Sequence, residues 1–227
     1  MTLGWLYFGA DWDWKAARAE FERARAIDPD NQWVARGLAR INNSIYGRID
    51  EETKLHREEL VRNPLDLSQL EQLAAGQLVS GQLQESAATF RNLLQLDPNY
   101  VAAYAGLSAA HMYMGRLDDA LVEANKESDE MSRLAATAII YWAQHRKPES
   151  DAALKLCVER YGQFAYMQIA EIYAYRGETD AAFQWLDRAY REHDNGVVNI
   201  RSDPLLRNLH QDPRYQAFLV PMKLADG

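Results

Sequence analysis

GRIDEET (Gly47–Thr53), GQLQESA (Gly81–Ala87), GRLDDAL (Gly115–Leu121), PESDAAL (Pro148–Leu154) and GETDAAF (Gly177–Phe183) are five versions of one short motif. They are set 34, 34, 33 and 29 residues apart. Pro29, Pro64 and Pro98, each preceded by Asp or Asn, recur at 35 and 34 residues. Repetition at this period means one supersecondary unit used again and again, each copy covering the apolar face of its neighbour. The 227 residues would fit one or two domains by length alone. The repeat decides the matter, because a repeat array grows along one axis without starting a second core.

Between the motifs the apolar spacing is helical. Tyr104, Leu107, Ala110 and Met114 recur at steps of three and four, and Leu117, Ala120, Leu121 and Ala124 resume the pattern after Gly115. Each unit is therefore read as two antiparallel helices with a glycine-centred turn between them and an Asp-Pro or Asn-Pro step at its close. Small residues open the second helices (Ala17, Ser86, Ala120, Ala153, Ala182), and Phe21, Phe90 and Leu186 follow. A small side chain lets two helices approach, and a large one fills the next groove.

The pattern resembles the tetratricopeptide repeat, a 34-residue helix–turn–helix with Ala, Phe, Ala and Pro in its second helix. Ala17, Phe21, Ala24 and Pro29 match that half cleanly. The resemblance implies an all-α, right-handed solenoid of about five and a half units. Their boundaries fall near 1–29, 30–64, 65–98, 99–131, 132–161 and 162–194, with capping helices over 195–227. Three departures stand out. Pro148 replaces the turn glycine of the fifth unit, the last two units lack the closing proline, and the second unit carries Glu52, His56 and Glu59 where Ala, Phe and Ala are usual. The stretches DWDWKAARAEFERARAIDPDN and WLDRAY…DPLLRNLHQDPRYQAFL are also similar to the carboxy-terminal repeat regions of large bacterial signalling proteins, in which an adenylate-cyclase-like, kinase-like or winged-helix domain precedes the repeats.

The first helix, near Leu3–Gly9, has no N-cap, and Leu3, Trp5, Leu6 and Phe8 expose an apolar face unless something covers it. The chain is accordingly expected to be a fragment or a carboxy-terminal domain. At the other end Asn195-Gly196 is expected to stop the last repeat helix. Asp203-Pro204 and Asp212-Pro213 each place an N-cap acid before an N1 proline and open two short capping helices.

The charge balance, 25 basic against 33 acidic residues, disfavours phosphate backbones, and no Lys/Arg stripe reverses it locally. No nucleic-acid partner is expected. The single cysteine, Cys157, allows no internal disulfide and is read as a buried core residue. No segment approaches about 18 uninterrupted apolar residues, so no membrane insertion is expected, and a cytoplasmic location fits best. The chain lacks GxSxG, HExxH, a P-loop and a dinucleotide fingerprint, and is expected to be neither an enzyme nor a cofactor protein.

Steps of four and three put Glu52, His56 and Glu59 on one helical face, where they could hold a divalent metal. The preferred reading turns Ile49, Thr53, His56 and Leu60 inward and lets both glutamates reach Lys54, Arg57 or Arg62. The run Glu127–Glu130 reads as a solvated helix end. Trp12 and Trp14, two apart, do not share a face; one is expected in the first unit's core and the other over its turn.

The resemblance places the first helices along a concave groove. The expected protein- or peptide-binding residues are Ile41, Ile45, Leu78, Met112, Tyr113, Trp142, His145, Arg146, Met167, Glu171 and Tyr175. Chaperone-binding relatives clamp a peptide carboxylate with paired Lys and Asn. Gly37, Ile41, Glu71, Ala75, Ala105 and Ala109 stand at those places here, so that clamp is absent. The expected function is a non-enzymatic protein-interaction scaffold, the carboxy-terminal module of a larger bacterial signalling or regulatory protein. Homo-oligomerisation is the alternative, and a metal-binding or enzymatic role of Glu52, His56 and Glu59 the remote one.

Overall fold

The computed structural model describes residues 2–224, so Met1 and the last three residues of the expected cap (225–227) lie outside the described residues. Twelve helices run in antiparallel pairs: α1 (Thr2–Gly9) with α2 (Trp14–Ile27), α3 (Gln32–Tyr46) with α4 (Ile49–Arg62), and α5 (Leu67–Val79) with α6 (Leu83–Leu96). The series continues with α7 (Ala103–Tyr113) and α8 (Leu117–Ala124), α9 (Glu130–Ala143) and α10 (Lys147–Tyr161), then α11 (Tyr166–Tyr175) and α12 (Thr179–Arg191). Two 3₁₀ turns, Asn195–Asn199 and Pro204–Leu209, lead to a last short helix, α13 (Pro213–Leu219). Every described element is helical, and the packing is that of an α-solenoid.

The turn glycines behave as the motif demands. Gly81 and Gly115 have φ of 75° and 76°, a left-handed geometry that glycine adopts without a Cβ penalty. In the fifth pair the corresponding left-handed residue is His145, at φ 61°, and not Pro148. Pro148 lies in the first turn of α10, where its missing N–H costs nothing. α12 also ends earlier than Asn195-Gly196 suggests. It stops at Arg191, and His193 turns left-handed at φ 54°. Asp203 and Asp212 do cap, accepting from the amides of Leu205 and Arg214.

The small positions lie at helix crossings. Ala17, Ser86, Ala120 and Ala182 are fully buried. Ser86 and Ser150 donate across their pairs to the carbonyls of Ala74 and Ala138, so a hydroxyl fits at the crossing without being orphaned. Phe21 and Phe90 fill the next grooves against Gly37 and Gly106, where a methyl on either glycine would overlap the ring.

The run Glu127–Glu130 differs from a solvated helix end. Glu127 is buried and accepts from the amide of Ala105 (3.2 Å) and from that of Asp129 (3.0 Å). Ala102 has no capping side chain, so Glu127 supplies the N-terminus of α7 with its acceptor from the following pair. Asp194 serves α11 in the same manner, through the amide of Met167 at 3.1 Å. Glu127→Ala is expected to cost about 1–2 kcal/mol, the upper range for a lost cap, because it strips a buried N-terminus of its acceptor. Urea unfolding followed by circular dichroism checks this, and a change below a few tenths would sink the capping role.

The array closes on itself. Trp14 donates to the carbonyl of Met222 (2.6 Å), 208 residues away. Trp12 lies against Tyr190 and His193, with ring centroids at 5.5 and 4.6 Å. Gly47 meets the backbone of Arg201. Trp14 thus packs in the first unit against Phe8, as expected, and is also held by Met222, whereas Trp12 is buried against Tyr190 and His193 rather than simply covering the first turn. One apolar core consequently joins Phe8 and Phe21 to Leu206 and Phe218, while a second, around Leu70, Phe90 and Leu107, holds α5–α7.

Candidate functional site

Closure changes what the concave face can offer. The segment 195–209 runs along it, packed on α11 and α3. Ile41, Met112 and Met167 are at most 7% exposed, so they are core residues rather than open lining. Ile45 is half-buried against the same core. Leu78, Met112 and Tyr113 border a small apolar hollow of about 160 Å³ that Pro204 and Leu205 close from the other side. The Tyr113 hydroxyl is buried without a partner among the described residues, and burial raises its pKa well above the ordinary phenol value.

His145 and Arg146 belong to the α9–α10 turn rather than to the first helix, and both are exposed. Arg146 pairs with Glu149 at 2.8 Å and stacks on Tyr141. Trp142, His145 and Tyr175 do come together, bordering an open hollow of about 520 Å³ with Lys147. Arg176 stacks on Trp142 at 4.6 Å and is itself held by Asp151, Glu178 and Ser150. The Trp142 indole is therefore fixed from behind and open in front.

Glu52, His56 and Glu59 separate. Glu59 turns to Arg36 (3.3 Å) and Arg62 (2.9 Å), and Glu52 to Arg40 (3.4 Å). The glutamates thus reach mainly back to α3; of Lys54, Arg57 and Arg62, only Arg62 takes part. His56 shares a 2.8 Å hydrogen bond with Gln69, and burial lowers its pKa. Among the described residues no three His, Cys, Asp or Glu side chains converge to hold a metal ion. Cys157 is buried, and desolvation pushes its thiol up to about 12, so it is no nucleophile.

Glu52 and His56 occupy the places that Ala17 and Phe21 fill in the first pair. The exchange leaves a polar cavity of about 360 Å³ between α3, α4, α5, α11 and the 196–204 segment. Glu52, Glu71, Glu171 and Asp203 face it, and burial raises the pKa of all four. For Glu171 the neighbouring Asp203 adds to the rise. The motif break in the second unit is the one sequence signal for this cavity; its far wall comes from residues more than a hundred positions away.

Residues 78–126 match the tetratricopeptide repeat family model. No curated protein matches the chain. Among solved structures the chain is similar to a thermophilic TPR protein of Thermus thermophilus, with 18% identity, 81% of this chain and 96% of that one covered, and a TM-score of 0.59. It is also similar to a tetratricopeptide repeat protein from Parabacteroides merdae, with 14% identity, 97% and 89% coverage, and a TM-score of 0.54. At these identities the likeness is one of fold. No helix among the described residues is long and apolar enough to cross a membrane. The helix pairs, their turn glycines and these likenesses together make the fold that of a tetratricopeptide-repeat solenoid, an architecture that suggests a protein-interaction scaffold.

Proposed function

We propose that the chain is a protein-interaction module that holds a protein or peptide segment on the part of its concave face that segment 195–209 leaves open. The observation that carries this reading is the Trp142–Tyr175 hollow. Two half-buried aromatic side chains border one open concavity, and Arg176 with its two carboxylate partners fixes the indole in place. A rigid aromatic offers large contact area at little entropy loss, and such residues are the usual anchors of protein contacts. His145 and Lys147 add donors at the rim, and Arg146 lies beside them on the turn. Of the remaining concave residues, Leu78, Tyr113 and Glu171 border the neighbouring hollow that Pro204 and Leu205 close, and Ile45 packs on the core. The resemblance of the two end stretches to repeat regions of bacterial regulators supports a place for this module in a cytoplasmic signalling or regulatory protein.

The test is an affinity capture from lysate with the parent chain and a Trp142→Ala, Tyr175→Ala variant, both shown folded by circular dichroism. A partner kept by the parent and reduced at least about tenfold on the variant supports the site, since hot-spot aromatics cost about 2 kcal/mol or more when truncated. Equal capture by both places binding elsewhere. Leu3 and Leu6, at 50% and 54% exposure on α1, favour a second reading, self-association through that end. Light scattering with Leu3→Ser, Leu6→Ser separates the two.

A further inference from the structure

The polar cavity between α3–α5, α11 and the carboxy-terminal segment has a chemistry of its own. Four carboxylates face it and one guanidinium, Arg40, which already pairs with Glu52. Asn43 is 1% exposed, and neither its amide nitrogen nor its oxygen has a partner among the described residues. Its amide lies beside Glu52 without reaching hydrogen-bond geometry. Glu52, buried as well, leaves its second oxygen unpartnered, and so does the side-chain oxygen of Asn199. Native proteins rarely leave such groups unsatisfied, and here three of the four orphaned atoms are acceptors. The cavity therefore asks for donors, and for positive charge.

Glu171 and Asp203 meet side by side, while Glu52 and Glu71 stand on α4 and α5, so among the described residues no three carboxylates gather on one point. Spread acceptors do not suit a small metal ion, which draws its oxygen ligands to within about 2.0–2.6 Å. They suit an extended ligand with more than one charged donor. A volume of about 360 Å³ lies within the range of small-molecule sites. Burial raises these carboxyl pKa values and so disfavours their unpaired charge, whereas an ammonium group in the cavity would favour the ionised form.

We propose that this cavity binds a small organic polycation, an aliphatic diamine or polyamine, through Glu52, Glu171 and Asp203 with the Asn43 and Asn199 carboxamides. Each primary ammonium group offers three donors and no acceptor, the complement of the orphaned oxygens. Arg40 holds one face of Glu52 and leaves the other to the ligand. The site stands apart from the Trp142–Tyr175 hollow and does not depend on it.

The test is isothermal titration calorimetry on the full chain with spermidine and putrescine, at pH 8 and constant ionic strength. Butane-1,4-diol is the uncharged control. Saturable one-to-one binding of an amine, with none by the diol, is the expected result. Glu171→Gln makes the decisive variant, because the side chain that Glu171 meets, Asp203, itself belongs to the proposed site, and glutamine keeps the size while removing the charge. It should weaken binding about tenfold or more, since one charge-assisted contact is lost. Glu52→Gln should do likewise, and exposed Asp187→Asn should change nothing. Absence of saturable binding by both amines overturns the proposal. So does equal affinity in parent and Glu171→Gln, which would mark a diffuse attraction to an acidic surface.

Discussion

Phe21→Ala should lower stability by about 3–5 kcal/mol, the range for a buried phenylalanine cut to alanine. Phe21 is fully buried on α2. Its ring lies under Gly4 of α1 and Gly37 of α3, both close enough that a Cβ on either would press into it. Trp5 meets it edge-on at 5.2 Å. The site cannot collapse easily, because glycine backbones already sit as near as helices allow, so the cavity term stays large. At about 2–4 °C per kcal/mol for a chain of this length, the midpoint should fall by roughly 10 °C. Thermal unfolding by circular dichroism measures it, and a drop of only a degree or two would show that the ring is not the wedge between the first two pairs.

Trp14→Ala should cost a similar amount, at least about 3 kcal/mol, with a second consequence at a distance. Trp14 is 3% exposed, packs edge-on to Phe8 at 5.2 Å and donates to the Met222 carbonyl. Removing it breaks the first pair's hold on the carboxy-terminal segment. Hydrogen exchange should then quicken across residues 213–222 in Trp14→Ala but much less in Trp14→Phe. The latter keeps the ring packing and forfeits about 1 kcal/mol for the lost hydrogen bond. If exchange in 213–222 were unchanged in both, the closure would not be a stabilising contact.

The helix pairs could be read from the chain because they rest on local rules. Gly47, Gly81, Gly115 and Gly177 all have positive φ, and Asp203 and Asp212 cap as their Asp-Pro steps announce. His145 escapes such a reading because a left-handed histidine carries no signature beside Pro148, whose chemistry is more conspicuous. Glu127 escapes it for a different reason. Its acceptor role depends on the start of α7, twenty-two residues earlier, and an acidic run gives no sign of where it points. The concave residues divide on the same principle. Repeat register brings Trp142 and Tyr175 together, whereas the burial of Ile41, Met112 and Met167 follows from the return of segment 195–209, which no periodicity encodes. The Glu52 and His56 exchange is visible in the chain, but its meaning needs the opposite wall at Glu171 and Asp203.

A linear repeat array has two ends, and thermal opening ordinarily starts there, since an end unit has one neighbour instead of two. The Trp14–Met222 bond and the Trp12 stack remove that asymmetry. Each pair folds from near neighbours in sequence, a rapid process, but the seam joins residues 208 apart and must wait until both halves exist. The last contact to form is then the one that denies the array a loose end, which gives a molecule assembled as a row the cooperativity of a closed one.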